Sequence, residues 1–220
     1  MTRSELASFI DHTILEPETG AAAIEKLCGE AAFHGFVAVC VAPRWVPLAA
    51  KILQDSEIHI ATVAGFPHGD TLSRAKAGET RDAIDAGAHE IDMVIPIGAA
   101  LEGDWKYLHD DIAAVVVASH GHAIIKAILE TAYLNREQII AACRAATDAG
   151  ADYVATSTGF VSGGAKIEDV RLMREVVGAG MGVKAAGGIR DLATAWAMID
   201  AGATRLGSSA PVTILGELAA

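Results

Sequence analysis

Eight short apolar runs recur along the chain: Phe9–Thr13, Val37–Val41, Ile58–Ala64, Glu90–Ile95, Ala123–Leu129, Tyr153–Ser157, Gly182–Ala185 and Arg205–Gly207. Several are apolar nearly throughout rather than alternating, as parallel strands covered on both faces are. Between them lie alanine-rich stretches such as LSRAKAGETRDAIDAG and NREQIIAACRAATDAG, whose apolar residues recur at helical spacing. One segment is repeated. Asp85-Ala86-Gly87-Ala88, Asp148-Ala149-Gly150-Ala151 and Asp200-Ala201-Gly202-Ala203 each close a helical stretch just before a strand. Glycine there caps a helix in the left-handed conformation and turns the chain back into the sheet. Eight such units in 220 residues, about 27 residues each, predict a single α/β domain over residues 1–220, a (β/α)₈ barrel. An open doubly wound sheet is the alternative.

Composition narrows the function classes. Hydrophobic types make up 52% of the chain and charged types 20%, which excludes intrinsic disorder. The net charge of −11 and the lack of a basic run make nucleic acid and anionic membranes poor partners. An anionic substrate therefore needs a local positive site. Cys28, Cys40 and Cys143 are odd in number and form no CxxC pair, so the expectation is a reduced, cytoplasmic chain without a disulfide framework or structural zinc. The start, MTRSELASFIDHT, lacks the apolar core of a signal peptide, and no run is long enough for a membrane span.

In a barrel of this kind, chemistry belongs at the carboxyl ends of the strands. Three charges stand inside runs expected to be buried: Asp92 in EIDMVI, Lys126 in AIIKAIL and Lys184 in MGVKAA. A buried charge is costly unless paired, so these residues form either a structural network, with Glu90 as a further partner, or a converging site. Two lysines at matching heights would depress each other's pKa and yield a usable amine, with an aspartate opposite to move protons. Asp11, at the end of the first run, orients a lysine or a water, or else caps a turn. Gly187-Gly188-Ile189-Arg190 and Gly207-Ser208-Ser209 follow the seventh and eighth runs, where barrels cradle phosphate. Glycines admit backbone N–H groups to an anion there, and the serines cap the next helix. Thr156, Ser157, Thr158 and Gly159 follow the sixth run as further hydroxyl donors or as a helix cap.

Together with Ile10-Asp11-His12-Thr13, VCV at 39–41, GFPHG at 65–69, ILET at 128–131, TSTGF at 156–160 and SGGA at 162–165, these segments resemble the shorter bacterial form of the 2-deoxyribose-5-phosphate aldolase family along nearly the whole chain. The resemblance implies a class I aldolase that needs no metal or other cofactor. It would cleave 2-deoxy-D-ribose 5-phosphate reversibly to D-glyceraldehyde 3-phosphate and acetaldehyde through a lysine Schiff base, and would form a homodimer. It implies Asp92 and Lys184 as the proton-relay pair and Gly187, Gly188, Ser208 and Ser209 as the phosphate cradle. Cys40 and Thr158 would line the pocket beside Asp11 and Lys126.

One position departs sharply. The residue before TSTG, where the family carries its imine-forming lysine, is Ala155. Pro96, Ala127 and Ala186 also replace the family's usual asparagine, valine and serine. Ala155 is expected to lie between Lys126 and Lys184, and because a methyl group cannot form an imine the chain should bind the sugar phosphate and turn it over very slowly. Three other readings compete. Lys184, or less readily Lys126, could take over as the amine; His12, His68 and Asp92 could hold a metal in a metal-dependent lyase; or the barrel could bind phosphosugars without catalysis.

Overall fold

The structure, a computed structural model, describes residues 1–218. Eight strands run in chain order: β1 Ile10–Ile14, β2 Ala38–Val41, β3 His59–Ala64, β4 Glu90–Val94, β5 Ile124–Ile128, β6 Tyr153–Ala155, β7 Gly182–Ala186 and β8 Arg205–Ser208. Each pairs in parallel with the next and β8 pairs with β1, closing the barrel. Among the described residues ten α-helices accompany them: α1 Arg3–Ala7, α2 Ala21–His34, α3 Val46–Leu53, α4 Ser73–Asp85, α5 Ile97–Glu102, α6 Trp105–Ser119, α7 Arg136–Asp148, α8 Ile167–Val177, α9 Leu192–Asp200 and α10 Pro211–Gly216. All eight apolar runs are strands, each within two residues of its expected bounds. The (β/α)₈ barrel is thus the observed fold, and the open sheet is excluded. Among the described residues no helix is long and apolar enough to cross a membrane.

The repeated joint works as its glycine suggested. Gly87, Gly150 and Gly202 follow α4, α7 and α9 with φ of 108°, 86° and 109°. At each joint the N–H of the next alanine bonds back to a carbonyl five residues earlier, as in Ala88 N–H to Ala83 O at 2.9 Å. The helix carbonyls are satisfied and the chain re-enters the sheet two residues later.

The main core lies between strands and helices, where Ile60, Ile91, Met93, Ile125, Val154, Val183 and Leu206 meet buried residues such as Leu108, Ile112, Ile139 and Met173. One polar pair is embedded in this shell. Lys76 of α4 donates to Asp111 of α6 at 2.7 Å and to the Val94 carbonyl at 2.8 Å, with both side chains fully buried. Removing one partner of such a pair strands the other charge, which costs about 3–5 kcal/mol. Lys76→Ala is therefore expected to lower stability by about that amount. A urea titration checks this, and a loss under about 1 kcal/mol would mean that Asp111 finds other support.

Candidate active site

Because strand side chains alternate, β1, β4, β5, β7 and β8 each send a charged group into the lumen. Six ionic residues meet there. Lys126 Nζ lies 2.5 Å from Glu90, 2.7 Å from Asp92 and 3.3 Å from Asp11. Lys184 Nζ lies 2.5 Å from Asp92 and 2.6 Å from Asp11. Arg205 reaches Asp11 at 2.7 Å and Glu90 at 3.2 Å. Three carboxylates thus balance three cations, and all six are buried. The network extends to the opposite end of the barrel through His59, whose Nδ1 is 2.7 Å from Glu90.

This balance reverses one expectation. Burial alone would lower the Lys184 pKa, but the Asp11 and Asp92 carboxylates outweigh it and hold the ammonium above its ordinary value. Lys126 is likewise buried, yet Asp11, Asp92 and Glu90 raise it well above the ordinary lysine value. Neither lysine is the depressed amine that a pair of neighbouring cations would give, because carboxylates separate them. Burial pushes the Asp11 carboxyl up, but Lys126, Lys184 and Arg205 together bring it well below the carboxylate range. Glu90, similarly opposed by burial, is drawn down to about 2 by Lys126 and His59.

Above this network, at the carboxyl ends of the strands, opens a cavity of about 150 Å³. Asp92 and Lys184 form its floor together with Ala155. The register places Ala155 between Ile128 of β5 and Lys184 of β7, while Lys126 pairs two residues lower, with Tyr153. Ala155 therefore does not lie between the two lysines: Lys126 and Asp11 sit beneath the floor, fully buried, and do not line the pocket. Ala155 packs with Val94 and Ile128, against Phe66 and Ile97, so the floor beside the charged pair is apolar. Cys40 lines the neighbouring wall with Val63. Burial and the Asp92 carboxylate push its thiol up to about 12, which keeps it in the unreactive form.

Gly187, Gly188, Arg190, Ser208 and Ser209 line the side of the pocket expected to hold phosphate. Gly187 and Gly188 have φ of 92° and 82°, a backbone that side-chain-bearing residues rarely adopt. The serines act differently from expectation. Ser208 donates to the Ile189 carbonyl and accepts from the Ala210 N–H, tying two loops together, and Ser209 is exposed. Neither caps the following helix, α10, which is six residues long with Ala210 at its N-cap. Thr158 lines the pocket, but its hydroxyl and N–H both donate to Glu130 Oε2, at 2.5 and 3.1 Å. Glu130 is buried in left-handed backbone at φ 53°. Phe66 and Phe160 meet edge to face at 5.2 Å on the pocket wall.

His12 turns away from the lumen to Glu30 of α2, at 2.8 Å, and His68 is exposed, so these two do not converge with Asp92. Sequence reasoning passed over Arg205, whose signal was a charge opening an otherwise apolar run. It treated Glu90 only as a structural partner, although Glu90 and Asp92 stand two apart on one strand and therefore share a face.

Comparison with known proteins gives this geometry its class. A family model described as DeoC/LacD family aldolase matches residues 6–210. A deoxyribose-phosphate aldolase of Halalkalibacterium halodurans is 53% identical over 216 residues, covering 98% of this chain and 96% of that protein. A putative deoxyribose-phosphate aldolase from Coccidioides immitis superposes with a TM-score of 0.95 at 41% identity, covering 99% of this chain and 87% of that one. A deoxyribose phosphate aldolase from Aeropyrum pernix, described as a tetramer, superposes at 0.92 with 29% identity over 98% and 91% of the two chains. A parallel barrel with a lysine and a carboxylate on the floor of its C-terminal mouth is here the scaffold of an aldehyde-lyase. The chain belongs to the DeoC/LacD family of aldolases.

Proposed function

We infer that the chain is a deoxyribose-phosphate aldolase scaffold that takes up 2-deoxy-D-ribose 5-phosphate but cleaves it very slowly. One observation carries this reading: the floor of the pocket holds the Asp92–Lys184 pair, and the residue beside it is the methyl side chain of Ala155. Asp92 accepts protons and Lys184, held charged, donates them, so the proton-handling half of an aldol cleavage is present. A class I cleavage also needs a neutral amine. That amine condenses with the C1 carbonyl and releases water; the C3 hydroxyl then loses its proton, the C2–C3 bond breaks toward the imine and frees glyceraldehyde 3-phosphate, C2 is reprotonated, and water hydrolyses the resulting imine to acetaldehyde and the free amine. Ala155 supplies no such amine. The phosphate end of the substrate falls to Gly187, Gly188, Arg190 and the loop of Ser208 and Ser209.

Lys184 taking over as the amine is the second reading. The 2.6 and 2.5 Å contacts with Asp11 and Asp92 weigh against it, because they keep the nitrogen protonated and pinned. Treating the chain with acetaldehyde and borohydride separates the two. The expected mass spectrum shows unmodified protein, and a near-stoichiometric adduct mapped to Lys184 or Lys126 would replace the first reading with the second.

A further inference from the structure

Three hydroxyls follow one another at the end of β6, and two of them are committed. Thr156 Oγ1 donates to the Ala186 carbonyl at 2.9 Å and accepts from the Ala186 N–H at 3.0 Å. Thr158 Oγ1 donates to Glu130 and accepts from the Phe160 N–H at 3.2 Å. Across the pocket, Ser208 spends its proton on the Ile189 carbonyl at 2.7 Å. Ser157 differs from all three. It lines the pocket, is 2% exposed, and its Oγ has no partner among the described residues. An unpaired buried hydroxyl is unfavourable, so one that lines a pocket is open to a partner that enters the pocket.

Its surroundings indicate the use. Ser157 lies two residues beyond Ala155, the last residue of β6, on the lining of the same pocket. Its Cβ would sit 3.3 Å from a Cβ placed on Gly187, so it packs against the left-handed Gly187–Gly188 turn. A ligand with its carbonyl at the floor by Lys184 carries its far end toward this turn. The hydrogen of a serine hydroxyl rotates about the C–O bond to suit its partner, so this donor can turn toward an arriving acceptor.

We propose that Ser157 is the buried hydroxyl donor to a phosphoryl oxygen of the bound sugar phosphate, and hence a residue that selects phosphorylated over unphosphorylated substrate. This rests on the phosphosugar reading above and adds to it a residue whose only free hydrogen-bonding capacity faces a ligand.

Calorimetric titration of the full chain and of Ser157→Ala with 2-deoxyribose 5-phosphate, inorganic phosphate and 2-deoxyribose provides the test. The expected result is a rise in Kd of about tenfold for both phosphate-bearing ligands, with 2-deoxyribose changed by less than about twofold. The melting temperature should stay the same or rise, because the substitution removes an unpaired group. Unchanged phosphate affinity, an equal loss on 2-deoxyribose, or a lowered melting temperature would each overturn the proposal. Failure of the parent chain to bind 2-deoxyribose 5-phosphate would overturn the phosphosugar reading as well. Binding by the parent that is insensitive to Ser157→Ala would remove this proposal alone.

Discussion

Ala155→Lys is expected to raise retro-aldol turnover of 2-deoxyribose 5-phosphate by on the order of 10³-fold or more, the scale on which enzymes lose rate when a covalent nucleophile is deleted. The reason lies in the charge balance of the lumen. Three cations already match three carboxylates, so a lysine at position 155 arrives without a carboxylate of its own. It would stand one strand from Lys184, about 4.8 Å away between backbones, with Val94, Ile128, Phe66 and Ile97 around its stem. An amine in an apolar setting beside a fixed ammonium has a depressed pKa, and near neutrality it is a free nucleophile. Lys184 shows the opposite state because Asp11 and Asp92 hold it charged. The same features predict a cost: the variant should melt at a lower temperature than the parent, since it buries a longer, partly charged side chain. A coupled assay for the glyceraldehyde phosphate product measures the gain, and borohydride with acetaldehyde should now label position 155. No gain in turnover, with sugar-phosphate binding intact, would identify a non-catalytic phosphosugar-binding barrel.

The barrel was legible because its evidence is local. Apolar runs of strand length and a thrice-used helix-to-strand joint are both read within a few neighbours. The site was legible in part. Asp92 and Lys184 stood out because a charge inside a run buried on both faces must have a partner. Their heights did not, because the stagger between strands of a closed barrel is a property of the whole ring. That is why the sequence pattern points to Ala155 between two lysines, whereas its strand neighbours are Ile128 and Lys184. The charge state of the lysines is hidden from the sequence for a related reason. Asp11 lies 115 residues from Lys126 and 173 from Lys184, and only closure of the barrel brings them together. The roles of the hydroxyls depend on equally distant partners. Thr158 is claimed by Glu130 and Thr156 by Ala186, 28 and 30 residues away, which leaves the donor to Ser157.

Asp11 is where removing one group should cost the most stability. It is fully buried and is the one carboxylate that touches all three cations, Lys126, Lys184 and Arg205. Asp11→Ala leaves two carboxylates facing three buried cations. Breaking a buried ion pair by losing one partner costs about 3–5 kcal/mol, and here one loss unbalances three contacts, so the upper end of that range is expected. The pH dependence follows with a definite sign. Asp11 and Glu90 are both held below their ordinary carboxylate pKa in the folded chain, Glu90 at about 2. The stability they provide is therefore complete above the unfolded carboxylate range, near pH 4, and is lost as pH falls through the folded values. The parent should lose stability steadily from about pH 5 toward pH 2, while Asp11→Ala, already without one of these carboxylates, should lose less over the same interval. Urea midpoints of both proteins at pH 7, 4 and 3 measure the two effects together. A cost below about 1 kcal/mol at pH 7, or parallel pH profiles, would show that Glu90 and Asp92 suffice to neutralise the three cations and that Asp11 is not the keystone of the network.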